Sequence, residues 1–164
     1  MIRKATMLVA VLSAAIALAP RSAQSQVYLG PEVAWSNDFD FGVGLGVEFG
    51  LPQLFTGANF MGDFLYFWEG DDFTYFEFNG NLTYDLPLED VPVVPFALAG
   101  VNIGRTSVDS DSDLTGSNTD VGLNVGGGFK FHIGNFRPWI MGRVALGGTE
   151  AFTVTAFLPF RLKN

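Results

Sequence analysis

Phe41-Gly42-Val43-Gly44-Leu45-Gly46-Val47-Glu48-Phe49-Gly50-Leu51 decides the fold. Each odd position is large and apolar, and each even position is Gly or Glu48. Side chains alternate between the two faces of a β-strand, so this stretch is a ribbon with one greasy side and one nearly bare side. A soluble sandwich would bury the greasy side in a core. Here the same alternation recurs along most of the chain, and the opposite faces carry carboxylates, amides and guanidinium groups. The pattern predicts a closed barrel with apolar residues toward lipid and small or polar residues toward the lumen.

The hydrophobicity of the rest is spread in the same way. The 164 residues suit one domain, with 20 Gly, 17 Phe and only 16% charged residues. Ordinary soluble domains carry about 25% charge. Mean hydropathy is +0.27, yet past the N-terminus no run approaches the roughly 18 apolar residues that a membrane helix needs.

The N-terminus is a separate object. Arg3 and Lys4 precede an apolar run from Met7 to Ala19, and Ser22, Ala23, Gln24 and Ser25 follow. This is the pattern of a secretory signal, so residues 1–25 are expected to be removed and residues 26–164 to form the barrel domain. The chain has no Cys, which rules out a lipid-anchored N-terminus and disulfide staples. Lys and Arg number 9 against 17 Asp and Glu, a net charge of −8. Losing Arg3, Lys4 and Arg21 with the leader leaves a more acidic chain, which argues against nucleic acid as a partner.

Eight strands follow in order. They cover about 27–35, 41–51, 58–68, 73–86, 94–105, 120–133, 138–146 and 152–163. The fourth is the second clearest. Phe76 and Phe78 point outward with Leu82 and Tyr84, while Glu77, Asn79, Asn81 and Asp85 point inward. A soluble core could not take that inner face without partners. The sixth sets Val125, Phe129 and Phe131 against Asn124, Lys130 and His132. The lipid-facing set is therefore Phe41, Val43, Leu45, Val47, Phe49, Phe76, Phe78, Val125, Phe129 and Phe131. Short turns at Pro52–Gly57, Pro87–Pro92 and Gly134–Asn135 alternate with acidic tips, the longest at Thr106–Thr119. One end of an outer-membrane barrel has short turns and the other has longer loops. The fold class is an all-β, eight-stranded antiparallel up-and-down transmembrane barrel, whose interior is filled by side chains.

Asn124-Val125-Gly126-Gly127-Gly128-Phe129-Lys130-Phe131, followed by Arg137-Pro138-Trp139-Ile140, resembles the closing hairpins of the small OmpA/OmpX-type outer-membrane β-barrel family. Pro95-Phe96-Ala97-Leu98-Ala99-Gly100-Val101 resembles an earlier hairpin of that family. The resemblance covers the mature chain in pattern more than in invariant residues. It implies a place in the outer membrane of a Gram-negative-type bacterium. It also implies insertion by the outer-membrane assembly machinery, with both termini in the periplasm. The chain departs from the family habit of ending on an aromatic residue, since it closes Phe160-Arg161-Leu162-Lys163-Asn164.

The candidate site is the inward charged set Glu32, Glu48, Asp63, Glu77, Arg105, Lys130, Arg143 and Arg161. It is expected to be a structural network of paired charges, because unpaired buried charge is expensive. Its functional alternative is a proton or ion path. His132 is the sole histidine and falls at the short-turn end, away from the rim where a lipid hydrolase would gather nucleophile and base. Asp109, Asp111, Asp113 and Asp120 imitate the spacing of an EF-hand calcium loop. Leu114 stands where the turn needs Gly, and no helices flank it, so a solvated acidic loop is expected. Trp35, Tyr66, Trp68, Tyr84 and Trp139 are candidates for interfacial girdles. No cofactor is expected, outer-membrane lipid is the expected partner, and the barrel is expected to be a monomer. The expected role is structural or surface-interactive. The alternatives are an enzyme acting on outer-membrane lipid and a secreted lipocalin-like barrel that binds small apolar ligands.

Overall fold

The computed structural model describes residues 26–69, 73–86, 88, 91–108, 116–134, 136–147 and 150–162. The signal segment and the tip carrying Asp109, Asp111 and Asp113 lie outside them. The chain runs β1 (Val27–Ser36), β2 (Asp40–Gly50), β3 (Ala58–Glu69), β4 (Phe73–Asp85), β5 (Val93–Val108), β6 (Gly116–Phe131), β7 (Trp139–Leu146), β8 (Phe152–Phe157) and β9 (Phe160–Leu162). Each strand pairs antiparallel with the next from β1 to β8. β1 then closes the barrel by pairing with both β8 and β9.

β8 and β9 are two pieces of one stave. Glu32 faces Phe157 and Leu29 faces Phe160, so the register continues unshifted across the gap. Between them, Pro31 on one side and Pro159 on the other have no N–H to donate. The ladder lapses there, and a single bond from Leu158 N to Pro31 O, 3.1 Å, bridges it. The barrel therefore has eight staves. β5 and β6 are longer than their sequence pattern suggests, since pairing runs on to Val108 and Gly116. Thr106–Val108 and Gly116–Thr119 extend the hairpin as strand. Their polar composition reads as loop, but cross-strand pairing needs only backbone.

The glycines of β2 show how the narrow interior is filled. A Cβ on Gly42 would strike the Phe67 ring at 2.6 Å, one on Gly44 the Phe64 carbonyl oxygen at 2.2 Å, and one on Gly46 a Glu32 carboxylate oxygen at 2.1 Å. Side chains from neighbouring staves thus lie across the bare face of β2. Outward, the barrel is apolar: Phe41, Val43, Leu45, Val125 and Phe129 are exposed, and Val47, Phe76, Phe78 and Phe131 are half-buried among outward neighbours. Phe49 corrects the lipid-facing set. It keeps the outward register opposite Phe60, but only 4% of it is exposed. The Phe60 ring, 5.1 Å away, shares the space that lipid would fill.

Gly44→Ala is expected to lower stability by about 1–3 kcal/mol, the usual cost of overpacking, because the obstacle is backbone. Urea titration of the protein folded in detergent measures it, and an unchanged midpoint would mean that β2 has room to spare.

Candidate functional site

The lumen is layered. At the hairpin-tip end Phe39, Phe67 and Tyr75 pack with Ala34, Leu65 and Ala151. Phe39 stacks on Tyr75 with ring centroids 3.8 Å apart. At the short-turn end Tyr28, Met61, Phe96, Leu98, Trp139, Met141 and Phe157 form a second apolar layer. Between the layers lies a polar one. Arg143 Nη1 donates to Asp63 Oδ1 at 3.3 Å, and Arg143 Nη2 donates to Glu77 Oε1. Asn79 Nδ2 donates to the same two carboxylates, at 2.7 and 3.1 Å. Asn124 Nδ2 in turn donates to Asn79 Oδ1 at 2.8 Å and Asn81 Oδ1 at 3.0 Å. Tyr75 Oη caps the set with a 3.2 Å bond to Glu77 Oε2.

A second charge cluster lies at the short-turn mouth. Lys130 Nζ is 2.5 Å from Glu48 Oε1 and 2.7 Å from Asp85 Oδ1, and 5.2 Å from the centre of the Phe96 ring. Lys130 and Arg143 are each 1% exposed, so both cations are desolvated and held by carboxylates. Such pairs contribute little net stability when intact and cost several kcal/mol when one partner is removed.

The inward set divides on inspection. Glu48, Asp63, Glu77, Lys130 and Arg143 form the two clusters. Glu32 is buried among them, but neither of its oxygens has a hydrogen-bond partner among the described residues. Two members need correction. Arg105 follows the parity of Val101 and Ile103 and is exposed on the outer face. Its charge suggested the lumen, but the register of β5 places it outside. Arg161 has an inward register opposite Tyr28, yet it is exposed at the end of β9, beyond the lumen charges. Trp139 also leaves the girdle: it is 2% exposed, in the lower apolar layer. Trp35, Tyr66, Trp68 and Tyr84 are exposed. Asp120 lies on the inner register of β6 and accepts a 2.9 Å bond from Asn118. Among the described residues no three His, Asp or Glu side chains gather to hold a metal ion.

With this geometry in place, comparison gives the family. Residues 5–147 match the family described as outer membrane protein beta-barrel domain. The chain belongs to that family. Its barrel resembles the N-terminal β-barrel domain of Pseudomonas aeruginosa OprF, at 16% identity and a TM-score of 0.65, over 85% of this chain and 100% of that one. Neisserial surface protein A is similar at 17% identity and 0.65, over 84% and 97%. The outer membrane enzyme PagL is similar at 17% and 0.51, over 84% and 99%. These identities establish the shared fold alone. No curated protein matches the sequence.

Membership in an outer-membrane barrel family accounts for the polarity of the barrel, apolar outside and polar within. It also sets aside the soluble lipocalin-like reading, which needs a polar skin and an apolar cavity. Sequence reasoning missed Phe39, which lies within the acidic tip Asn37-Asp38-Phe39-Asp40. A lone large apolar residue in such a tip was the available signal. Asp85 was legible as inward but not as a partner of Lys130, and Asn79, Asn81 and Asn124 were legible as inward but not as the amide chain that joins the carboxylates around Arg143.

His132 lies just beyond β6 and is exposed. Its backbone N–H donates to Pro92 O at 2.9 Å. Partial burial of its ring, then the nearby Arg137, holds the imidazole below its ordinary pKa.

Arg143→Met is expected to cost about 3–5 kcal/mol, because Asp63 and Glu77 stay buried without their cation. Glu32→Gln is expected to leave stability unchanged or raise it by up to about 1 kcal/mol, because it removes a carboxylate that has no donor. Parallel urea midpoints in detergent give both numbers. The reverse order would mean that Glu32, not Arg143, organises the layer.

Proposed function

We propose that the protein is a non-catalytic, monomeric barrel with a structural or surface-interactive role in the envelope of a Gram-negative-type bacterium. In this reading residues 1–25 are removed on export. The assembly machinery inserts the chain, and the acidic hairpin tips are displayed outside while the short turns face the periplasm.

The observation that carries the reading is the closed lumen. The polar layer around Arg143 is bracketed by the Phe39–Tyr75 stack on one side and the layer of Met61, Trp139 and Phe157 on the other. An interior filled by side chains offers no continuous aqueous path. What remains for interaction is the outer surface and the tips.

An enzymatic reading draws on the likeness to the outer membrane enzyme PagL. Against it stands the position of His132 at the short-turn end, opposite the tips where a hydrolytic pair would meet outer-leaflet headgroups.

The purified barrel in planar bilayers is expected to give no stepwise conductance, and incubation with outer-membrane lipid is expected to release no fatty acid. The folded protein should resist unheated SDS and run compact in the membrane fraction. Discrete conductance steps would replace the structural reading with a channel, and released acyl chains would replace it with an enzyme.

A further inference from the structure

Arg105 is the one charged residue on the outward face of the strands among the described residues. Below it, the outward positions of β5 are Val93, Pro95, Ala97, Ala99, Val101 and Ile103, all apolar. That run is roughly 33 Å along the strand at 3.3 Å per residue. At a tilt of about 40° it rises about 25 Å, the height of a barrel's apolar band. Arg105 is the next outward residue, so it stands where the band ends.

The cross-strand rows place exposed aromatics beside it. Tyr66 faces Phe76, Phe76 faces Arg105, and Arg105 faces Thr119. One row toward the tips, Trp68 faces Thr74, Thr74 faces Ser107, and Ser107 faces Ser117. Tyr66 and Trp68 are exposed, and exposed aromatics at strand ends mark the headgroup level. Arg105 shares their rows. The hydroxyls of Thr74, Ser107, Ser117 and Thr119 surround it on the same outward face. Side chains directly opposite on neighbouring strands lie about 5 Å apart.

Arg105 makes no ion pair among the described residues, and its hydrogen bond there is a 3.4 Å contact from Nη2 to Ser117 Oγ. A guanidinium has five donors in a planar fork that matches a phosphate. We propose that Arg105, with Ser107, Ser117 and Thr119, binds the phosphate of a lipid headgroup in the leaflet on the hairpin-tip side, the lipid's tails lying on Val101, Ile103, Val121 and Leu123. Charge complementarity selects the phosphate, and continuity with the exposed apolar band selects a lipid over a soluble anion. This inference needs only the lipid-facing band and stands apart from the role proposed above.

The test is native mass spectrometry of the full protein folded in a non-ionic detergent. Dioleoyl phosphatidic acid is the probe, and dioleoylglycerol, the same lipid without phosphate, is the control. Arg105→Gln is expected to weaken phosphatidic acid binding about fivefold, the effect of one basic residue at an anionic lipid surface, and to leave dioleoylglycerol binding unchanged. Arg105→Lys, which keeps the charge but loses the fork, is expected to fall between them and gives the answer should Arg105→Gln not fold. Arg161→Gln, at an exposed cation near the other end of the barrel, is expected to have no effect. Equal binding by wild type and Arg105→Gln would overturn the proposal. An equal loss in Arg161→Gln would reduce it to general charge attraction, and displacement by millimolar inorganic phosphate would replace the lipid by a soluble anion.

Discussion

Closure of eight staves leaves an interior only about as wide as its own side chains and no second layer to pack against. Every other feature answers that constraint. The inner face cannot carry a large side chain at each position, so β2 presents Gly42, Gly44 and Gly46 and lets Phe67, Leu65 and Glu32 reach across. Charges on the inner face cannot find bulk water, so Arg143 and Lys130 each contact two carboxylates. The outer face is relieved of polarity because the backbone is satisfied within the sheet and lipid accepts the rest.

The architecture was legible in the sequence because the strand period is two and the two faces meet opposite solvents. Glu77, Asn79 and Asn81 alternating with Phe76, Phe78 and Leu82 admit no helical reading and no water-soluble core. The turns were legible for a different reason. Gly57 and Gly134 take left-handed backbone at the short-turn end, a conformation that glycine adopts without strain. The seam was not legible. Pro31 and Pro159 interrupt a ladder whose register is unaffected, and composition alone cannot distinguish an interrupted strand from a turn.

The site was legible in outline and wrong where charge was used in place of register. The charge of Arg105 points to the lumen, but its parity with Val101 and Ile103 puts it outside. Arg161 has the inward parity but lies where the stave has run out of barrel. Trp139 suits a girdle by residue type, yet Met141 and Arg143 on the same face mark it as inward. Phe39 and Phe49 depend on tertiary contacts that no local pattern carries: one folds into the mouth over Tyr75, and the other is covered by Phe60.

The lumen also answers how a narrow interior tolerates more acid than base. Among the described residues, Glu32, Glu48, Asp63, Glu77 and Asp85 are gathered there around Lys130 and Arg143. Neutral amides supply donors that cations do not. Asn79 bridges Asp63 and Glu77 through one Nδ2, and Asn124 steadies Asn79 from the far side of the layer. A guanidinium in low dielectric needs its carboxylates fixed more than it needs further charge, because geometry decides whether attraction outweighs desolvation. The amide chain provides that fixing. It ties β3, β4 and β6 to the guanidinium of β7, so the middle layer is held by polar groups reaching across the axis, independently of the ladder around the wall.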